Sequence, residues 1–286
     1  MTLRRTPPGT AGTSDTPAAT DSYDPAHFAP LFAVEDRHFW FRARARLIAT
    51  LVQQIVTSLP SGYRVLEVGC GTGQVLRVLE QTCTRGIVMG MDLFIEGLRF
   101  ARRRVNVPLI QSDIHASPFT VGFEVIGLFD VLEHLPDDRA VLRDLHAMLS
   151  PGGVLILTVP AHQSLWSYFD EAAHHCRRYE PEDLMAKLGE AGFLVEYLSP
   201  FMSLLFPLIW AGRRLASSVP RRGMTRATAN GSDANRRAQE ELRIIPVVNG
   251  VLAGLLMTES AWVKRRQRLP GGTSLVAVAR KREQPA

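Results

Sequence analysis

Three clusters in this chain combine residue types that could support chemistry. The first is a glycine-rich turn at residues 65–73, where the apolar run Val-Leu-Glu-Val leads into Gly-Cys-Gly-Thr-Gly. Glycines at this spacing let the chain turn sharply and let a ligand approach the backbone closely. Glu67, before the turn, can accept hydrogen bonds or pair with a cationic amine. A tight strand–helix turn without a ligand is the alternative reading of the glycines alone.

Acidic residues follow the next two predicted strands. Asp92 ends a strand about 20 residues after the glycine turn, where an acidic side chain commonly holds both hydroxyls of a ribose. Asp113 follows the third strand, at a position that faces an adenine amino group. Each aspartate alone could instead cap a helix or lie in a solvated loop. Three such features at successive strand ends predict a nucleotide-like ligand.

The second cluster is Asp130-Val-Leu-Glu-His134, directly after the fourth predicted strand. Ligands of α/β sheets bind at the carboxyl ends of the strands, so this stretch should border the site. We expect Phe129 and Asp130 to lie near the ligand and Glu133 to face a second substrate. His134 is a candidate general base, because imidazole titrates near neutral pH. The alternative is that Glu133 and His134 only hydrogen-bond to neighbouring loops.

The third cluster occupies residues 170–179, after the fifth predicted strand. Asp170 and His175 are candidates for a catalytic carboxylate–imidazole pair. Arg178 could bind an acidic group of a substrate, with Tyr179 beside it; alternatively, both anchor the loop to the next helix. No metal is expected, because the adjacent residues 174–176 cannot easily surround a tetrahedral zinc ion.

The elements that position these clusters form a predicted α/β fold. Short β runs alternate with helical periodicity from residue 63 to about 280, which predicts a Rossmann-like, mostly parallel seven-stranded sheet with helices on both faces. The predicted strands are 64–68, 86–92, 109–111, 124–129, 153–159, 194–199 and 274–280. The predicted helices are 74–81, 95–103, 138–149 and 182–191, and residues 25–59 also read as helical. A Pro-Gly-Gly turn at 151–153 should precede the fifth strand.

The predicted organisation has an insertion between strands six and seven. The segments are a disordered leader (1–22), an N-terminal helical lid (23–62), a Rossmann-like core (63–200), an apolar helical insertion (201–273) with a flexible linker (221–243), and the last strand and tail (274–286). A connection of this length is usually functional or disordered. Its apolar stretches, 201–212 and 244–257, are shorter than the roughly 20 residues of a membrane-spanning helix and contain prolines. We therefore expect no membrane span.

Taken together, these motifs resemble those of the class I S-adenosylmethionine (SAM)-dependent methyltransferases. The resemblance spans residues 39–280 and also includes the sequence Ser-Asp-Ile at 112–114, Leu-Ser-Pro-Gly-Gly at 149–153 and an Asp…His-x-Arg-Arg-Tyr stretch in the third cluster. It implies that SAM lies on the glycine turn, with Asp92 on its ribose and Asp113 near its adenine. The residues implied to contact SAM are Glu67, Gly69, Cys70, Gly71, Gly73, Asp92, Leu93, Asp113, Ile114 and Phe129. A dinucleotide dehydrogenase is disfavoured, because its third glycine comes one residue later.

A further aromatic cluster, His38-Phe-Trp-Phe-Arg-Ala-Arg44, precedes the first strand of the core. Related methyltransferases carry a similar stretch, which implies a lid over the SAM pocket. Trp40 would lie over the cofactor, and Arg42 or Arg44 would lie near its methionine carboxylate. For Phe39 and Phe41 we expect packing against the sheet instead.

Composition narrows the classes of partner and compartment. The chain has 286 residues, 46% hydrophobic and 21% charged, with a net charge of +5, which is typical of a globular protein. Its three cysteines lack metal-like spacing and suit a reducing cytoplasm. Basic clusters beside the apolar stretches would allow peripheral contact with the inner face of a membrane. No basic stripe interleaved with aromatics is present, so no nucleic-acid partner is expected.

The sequence therefore predicts a SAM-dependent methyltransferase that modifies a small-molecule or lipid-linked acceptor, with oxygen the expected methylated atom. One alternative is a SAM-binding enzyme of specialised metabolism that catalyses another reaction. A second alternative is a SAM-binding module without turnover. A monomer and a homodimer are both compatible with the sequence.

Overall fold

The computed structural model of the chain describes residues 2–3, 23–207, 210 and 244–282. The predicted flexible linker 221–243 lies outside the described residues. So does the predicted disordered leader, apart from Thr2 and Leu3, which form a short strand.

A mixed sheet forms the centre of the described structure. The strands are β1 (Thr2–Leu3), β2 (Arg64–Val68), β3 (Ile87–Asp92), β4 (Leu109–Gln111), β5 (Phe119–Val121), β6 (Phe123–Phe129), β7 (Leu149–Pro160), β8 (Phe193–Phe201) and β9 (Ser274–Lys281). Seven of them form one sheet in the order β4-β3-β2-β6-β7-β9-β8. Its neighbouring strands are parallel, except that β9 runs antiparallel to both β7 and β8. The short β1 pairs with β5 outside this sheet.

Helices cover both faces of the sheet. They are α1 (Phe28–Val34), α2 (Phe39–Thr57), α3 (Gln74–Thr82), α4 (Ile95–Ala101), α5 (Asp138–Met148), α6 (Tyr168–Ala172), α7 (Pro181–Glu190) and α8 (Pro246–Lys264). One apolar cluster packs α2, α3 and α8 against one face of the sheet. A second packs α5 and α7 against the other face. The predicted Rossmann-like α/β class with a mostly parallel seven-stranded sheet is confirmed.

One local prediction is refined and two need correction. Residues 25–59 are mostly helical, as predicted, but the chain breaks between α1 and α2, where His38 accepts a hydrogen bond from the Trp40 N–H and caps α2. Strand β7 begins at Leu149, so the predicted turn at 151–153 lies inside an irregular strand start. Pro246 begins α8 rather than interrupting it, because proline lacks an N–H that the first helical turn does not use.

Helix α8 brings the far end of the insertion against α2. The Asn249 side chain accepts a hydrogen bond from the Phe39 N–H (2.7 Å) and donates one to the Arg37 carbonyl (2.8 Å). Ten residues later, the Glu259 carboxylate accepts hydrogen bonds from the N–H groups of Met202 and Leu204. These buried polar contacts fix α8 beside α2 and the end of β8.

The outer face of α8 is apolar. The exposed side chains Val247, Val251, Leu255 and Trp262 recur on one side of the helix, opposite the buried face that carries Asn249. By length and composition alone, this 19-residue helix could cross a membrane: its most apolar 18-residue window has a mean hydropathy of 1.2, and 28% of that window is buried. A core helix passes the same test, so the result is weak evidence for a span.

Candidate active site

The glycine turn between β2 and α3 adopts a conformation that requires glycine. Gly69, Gly71 and Gly73 have φ angles of 70°, 50° and 79°, in the left-handed region. A Cβ atom on Gly69 would lie 2.4 Å from Val131 Cγ2, and one on Gly73 would lie 2.9 Å from Ala101 Cα. The turn is therefore packed too closely against Val131 and Ala101 for any larger residue at Gly69 or Gly73.

Asp92, at the end of β3, is tied to this turn. Its Oδ2 accepts a hydrogen bond from the Gly71 N–H (2.7 Å), and its Oδ1 accepts one from the Phe94 N–H (2.8 Å). Burial raises the pKa of this carboxyl, although these backbone hydrogen bonds oppose the shift. The carboxylate is thus buried and fixed beside the turn by backbone hydrogen bonds.

Charged groups without full partners lie beside the glycine turn. Glu67 is 2% exposed, and its Oε2 has no hydrogen-bond partner among the described residues. Burial raises the pKa of Glu67 well above its usual range, while the charge of Arg44 opposes this. Arg44 pairs with Asp130, which also accepts a hydrogen bond from Thr158, but the Arg44 Nε is unpartnered within the described chain. This edge offers both an acceptor and a donor to a zwitterionic ligand.

A second group of side chains, Glu133, His134 and His175, lies at the neighbouring edge. Glu133 and His134 follow β6 in a short 3₁₀ turn (Leu132–His134), and His175 follows α6. The two imidazole rings meet edge to face, with centroids 4.7 Å apart. Burial lowers the pKa of His134 to about 3, so this ring is neutral at physiological pH.

Asp170 orients His175. Its Oδ1 lies 2.9 Å from His175 Nδ1 and 2.7 Å from Arg178 Nε, and its side chain is fully buried. Burial alone would raise the pKa of Asp170, but the hydrogen bonds from His175 and Arg178 hold it at about 2. The structure thus brings Asp170 and His175 together as a carboxylate–imidazole pair beside His134.

Comparison with known proteins identifies the family of this chain. Residues 40–198, just over half of the chain, match the family described as a methyltransferase domain. The trans-aconitate 2-methyltransferase of Azoarcus sp. (strain BH72) is 31% identical over 128 residues, which are 44% of this chain and 48% of that protein. The chain belongs to the class I SAM-dependent methyltransferases.

Two further comparisons set the limits of that likeness. The ubiquinone biosynthesis O-methyltransferase of Erwinia tasmaniensis is 31% identical over 130 residues. That match covers 42% of this methyltransferase and 52% of the relative. The chain therefore spans about half the length of the relatives that it matches. A Haloferax volcanii methyltransferase, solved with its activator Trm112, shares the fold, with a TM-score of 0.54 and 17% identity over 92% of this chain and 96% of its own.

SAM is the cofactor of this methyltransferase, and the residues at the glycine turn fit it. The unpartnered Glu67 Oε2 suits the ammonium group of its methionine part, and the unpartnered Arg44 Nε suits the carboxylate. Of the three glycines, Gly71 is the one whose added Cβ would meet no atom closer than 3.7 Å, where it faces Phe28. Asp92 would hold the ribose hydroxyls at the end of β3.

The structure gives less specific support for the other predicted SAM contacts, which are Asp113, Ile114, Leu93 and Trp40. Asp113 follows β4 and caps a 3₁₀ turn by accepting a hydrogen bond from the His115 N–H, the alternative foreseen for it. Ile114 is mostly buried beside it, whereas Leu93 and Trp40 are partly exposed. Trp40 stacks on Arg44, with 5.1 Å between the guanidinium carbon and the ring centroid.

Two side chains predicted to meet SAM point into the core. Cys70 is 5% exposed and belongs to the apolar cluster under α2 and α3, so only its backbone borders the turn. The Phe129 ring is also buried and folds over Gly127, where it occupies the space that a Cβ would need. The prediction that the Phe129 side chain borders SAM is corrected accordingly.

Arg178 and Tyr179 both make contacts that anchor the loop after α6. Arg178 binds Asp170 and donates to the Ala161 carbonyl (3.1 Å). Tyr179 is fully buried, and its hydroxyl donates to Asp138 Oδ2 (2.9 Å). The prediction of substrate contact is corrected for Tyr179, because its hydroxyl is buried and hydrogen-bonded. For Arg178, whose Nε and Nη1 donate the two hydrogen bonds above, substrate contact stays a prediction. Both residues anchor the loop to its surroundings, which is the alternative role considered for them from the sequence.

The segment before α2 belongs to the predicted lid (23–62), but the sequence assigns no site role to its residues Tyr23 and Phe28. Phe28 packs into the notch between Gly71 and Gly97, and Tyr23 lies against Phe94 and His134 with ring centroids 6.1 Å and 5.6 Å away. This part of the predicted lid covers the glycine turn, whereas residues 38–44 begin α2. The aromatic spacing of Phe28 and Phe32, four residues apart, was the available signal.

A buried polar network holds this covering segment in place. Arg104, whose side chain is 3% exposed, lies 2.6 Å from Glu35 Oε2, and Thr72 in the glycine turn donates to the same carboxylate. Arg104 also donates to the Phe32 carbonyl (2.9 Å). These hydrogen bonds and this ion pair link α1 and the residue after it, Glu35, to Thr72 in the glycine turn.

Proposed function

We propose that this methyltransferase modifies an oxygen atom of a small-molecule or lipid-linked acceptor. The observation that carries the proposal is the Asp170–His175 pair, which lies beside Glu133 and His134 at the edge next to the glycine turn. A hydroxyl acceptor must lose its proton as it is methylated, and a positioned imidazole suits that task. Bound SAM supplies the electrophilic methyl group.

The residues of the pair have distinct parts in this proposal. Because His175 Nδ1 faces Asp170, its Nε2 is the nitrogen left to take the acceptor proton. Asp170 fixes the orientation of the ring, and Arg178 fixes Asp170. Glu133 and His134 would border the acceptor from the turn after β6. Holding the acceptor oxygen in line with the transferred methyl group is the protein's main contribution to the rate.

The names of the relatives support oxygen as the acceptor atom. One relative at 31% identity is an O-methyltransferase of ubiquinone biosynthesis, and another methylates trans-aconitate. We therefore expect methyl transfer to an oxygen acceptor from one of two chemical classes, a polycarboxylate or a phenol with an isoprenoid tail.

This expectation can be checked with radiolabelled SAM, trans-aconitate, and a prenylated catechol as the hydroxyl probe. Label transferred to a base-labile ester identifies a carboxylate acceptor, and label in a base-stable ether identifies a hydroxyl. Label on an amine or carbon acceptor, offered in the same panel, with none on oxygen would contradict the proposal. A heat-unfolded sample provides the blank.

We also propose that the protein works in the cytoplasm and contacts the inner face of a membrane through the outer side of α8. The apolar stripe there consists of Val247, Val251, Leu255 and Trp262, all about half exposed or more. The exposed basic residues Lys264, Arg265 and Arg268 follow at its end. An apolar face flanked by basic residues is the pattern of helices that lie on anionic lipid surfaces. This arrangement would let the enzyme reach a lipid-linked acceptor.

The double variant Val251→Glu/Leu255→Glu should lower binding to vesicles that contain anionic lipid by about tenfold or more, because it removes two apolar side chains from the contact. Vesicle co-sedimentation measures this, and raised salt should weaken wild-type binding. Met185→Glu, at an exposed apolar position on α7, is the matched control and should bind like wild type. Equal binding by the double variant would remove α8 from the proposal.

A further inference from the structure

We infer that Glu133, His134 and His175 form a binding site for one divalent transition-metal ion. Each offers one ligand atom, and these atoms lie within 4.8 Å of one another. A tetrahedral ion with bonds of about 2 Å holds its ligands roughly 3.3 Å apart, so the widest pair must close by at most roughly 1.5 Å. Small side-chain rotations cover that distance.

Two of the three side chains present atoms that nothing in the described chain satisfies. Glu133 is 1% exposed, yet its Oε2 has no hydrogen-bond partner there. His134 Nδ1 is buried and also has no partner in the described residues. Leaving a buried carboxylate oxygen unsatisfied is costly, and a cation within the cluster removes that cost.

The third side chain already has the environment of a metal ligand. A metal-bound histidine usually gives its other ring nitrogen to a carboxylate, which fixes the ring and its tautomer. His175 Nδ1 lies 2.9 Å from Asp170 Oδ1, and Arg178 Nε lies 2.7 Å from the same oxygen. His175 Nε2 is therefore the nitrogen available to an ion.

The two loops that carry the cluster are joined before any ion binds. The Cys176 N–H donates to the Glu133 carbonyl (2.7 Å), and the Tyr179 hydroxyl lies 3.4 Å from the Leu132 carbonyl. The three ligands are thus held by a preformed frame, which lowers the entropic cost of assembling the site.

The local charges also favour a cation. Asp130 is paired with Arg44, and Asp170 is paired with Arg178. Glu133 has no ion-pair partner among the described residues, so an added ion would supply the positive partner that this buried carboxyl group lacks.

The donor set indicates the class of ion. Two imidazoles and one carboxylate suit Zn²⁺, Co²⁺, Mn²⁺ or Fe²⁺, whereas Mg²⁺ and Ca²⁺ prefer oxygen ligands. Three protein ligands leave a position open for a further oxygen ligand. Use of that position by the acceptor hydroxyl rests on the proposed function. The ion would then lower the pKa of the hydroxyl, whose proton would pass to solvent water, and His175 would act as a ligand rather than as a free base.

Titration of chelator-treated protein with Co²⁺ tests the site without any acceptor. We expect one Co²⁺ per chain, with the visible absorption bands of a low-coordinate site. Glu133→Gln and His175→Ala should each weaken Co²⁺ binding by at least about tenfold. Loss of a residue that only supports a metal ligand already costs about that much, and these two residues are ligands themselves. His115→Ala is the matched control, since His115 also pairs with an aspartate, Asp144, but on the exposed surface. It should leave Co²⁺ binding unchanged.

Binding of S-adenosylhomocysteine (SAH), measured on the same samples, reports whether each variant is folded. Wild-type protein that binds SAH but not Co²⁺ would overturn the metal site, as would equal Co²⁺ binding by folded Glu133→Gln. Absence of oxygen methylation with Co²⁺ binding intact would instead count against the proposed function alone. The Glu133→Gln change also leaves intact the contacts by which Asp170 and Arg178 anchor the loop.

Discussion

Asp92→Ala should weaken the binding of SAH, the demethylated product of SAM, by on the order of 100-fold or more. Two hydrogen bonds from ribose hydroxyls to a carboxylate contribute roughly 1.5–3 kcal/mol each, and alanine removes both. The same change frees the Gly71 and Phe94 N–H groups, which Asp92 now holds at 2.7 Å and 2.8 Å. The glycine turn would then lose its fixed shape as well as its ribose contact.

Isothermal titration calorimetry with SAH measures this change directly, since SAH binds without turnover. Asp144→Ala is a suitable control, because Asp144 is an exposed aspartate on α5 whose partner is His115. It should bind SAH as wild type does. A folded Asp92→Ala protein with wild-type affinity would contradict the assignment of Asp92 to the ribose and move the cofactor away from the end of β3.

The local parts of this fold and site could be predicted from sequence because their signals lie within a few residues of one another. The glycine turn, Asp92 and the turn after β6 each follow directly from a strand end. Since parallel strands end at the same edge of a sheet, their order along the chain already gathers these residues at one site. The His175–Asp170 pair was also accessible, because only five residues separate its members.

Contacts between segments that are distant in sequence could not be predicted, because no local sequence pattern specifies them. The covering position of Tyr23 depends on its approach to His134, and the place of α8 depends on Asn249 meeting the start of α2. Nothing in the periodicity of either segment specifies its partner. The position of Tyr179 shows the same limit: its residue type suits both substrate contact and loop anchoring, and only burial decides between them.

His175→Ala should lower turnover by roughly 100-fold to 10,000-fold, the usual contribution of a positioned general base, while SAH affinity stays within a few-fold of wild type. The reason for the separation is spatial. His175 lies beside His134 at the proposed acceptor edge, whereas Asp92 and the glycine turn are the predicted cofactor contacts. The measurement is kcat with the oxygen acceptor found by label transfer, beside calorimetry with SAH.

His174→Asn is the matched control for this change. His174 is the exposed neighbour of His175 and has a φ angle of 56°, which asparagine tolerates better than most residues. It should keep wild-type turnover. If His175→Ala kept it as well, positioning alone would drive the reaction and the Asp170–His175 pair would be structural.

A loss of turnover in His175→Ala agrees both with a base and with a metal ligand, because either role uses the same Nε2 atom. Treating the wild-type enzyme with a chelator distinguishes the two. A free imidazole base keeps its turnover in the chelator, whereas a metal-dependent enzyme loses it and regains it when Co²⁺ or Zn²⁺ is returned. Glu133→Gln sharpens the distinction: it removes a metal ligand but leaves the Asp170–His175 hydrogen bond in place.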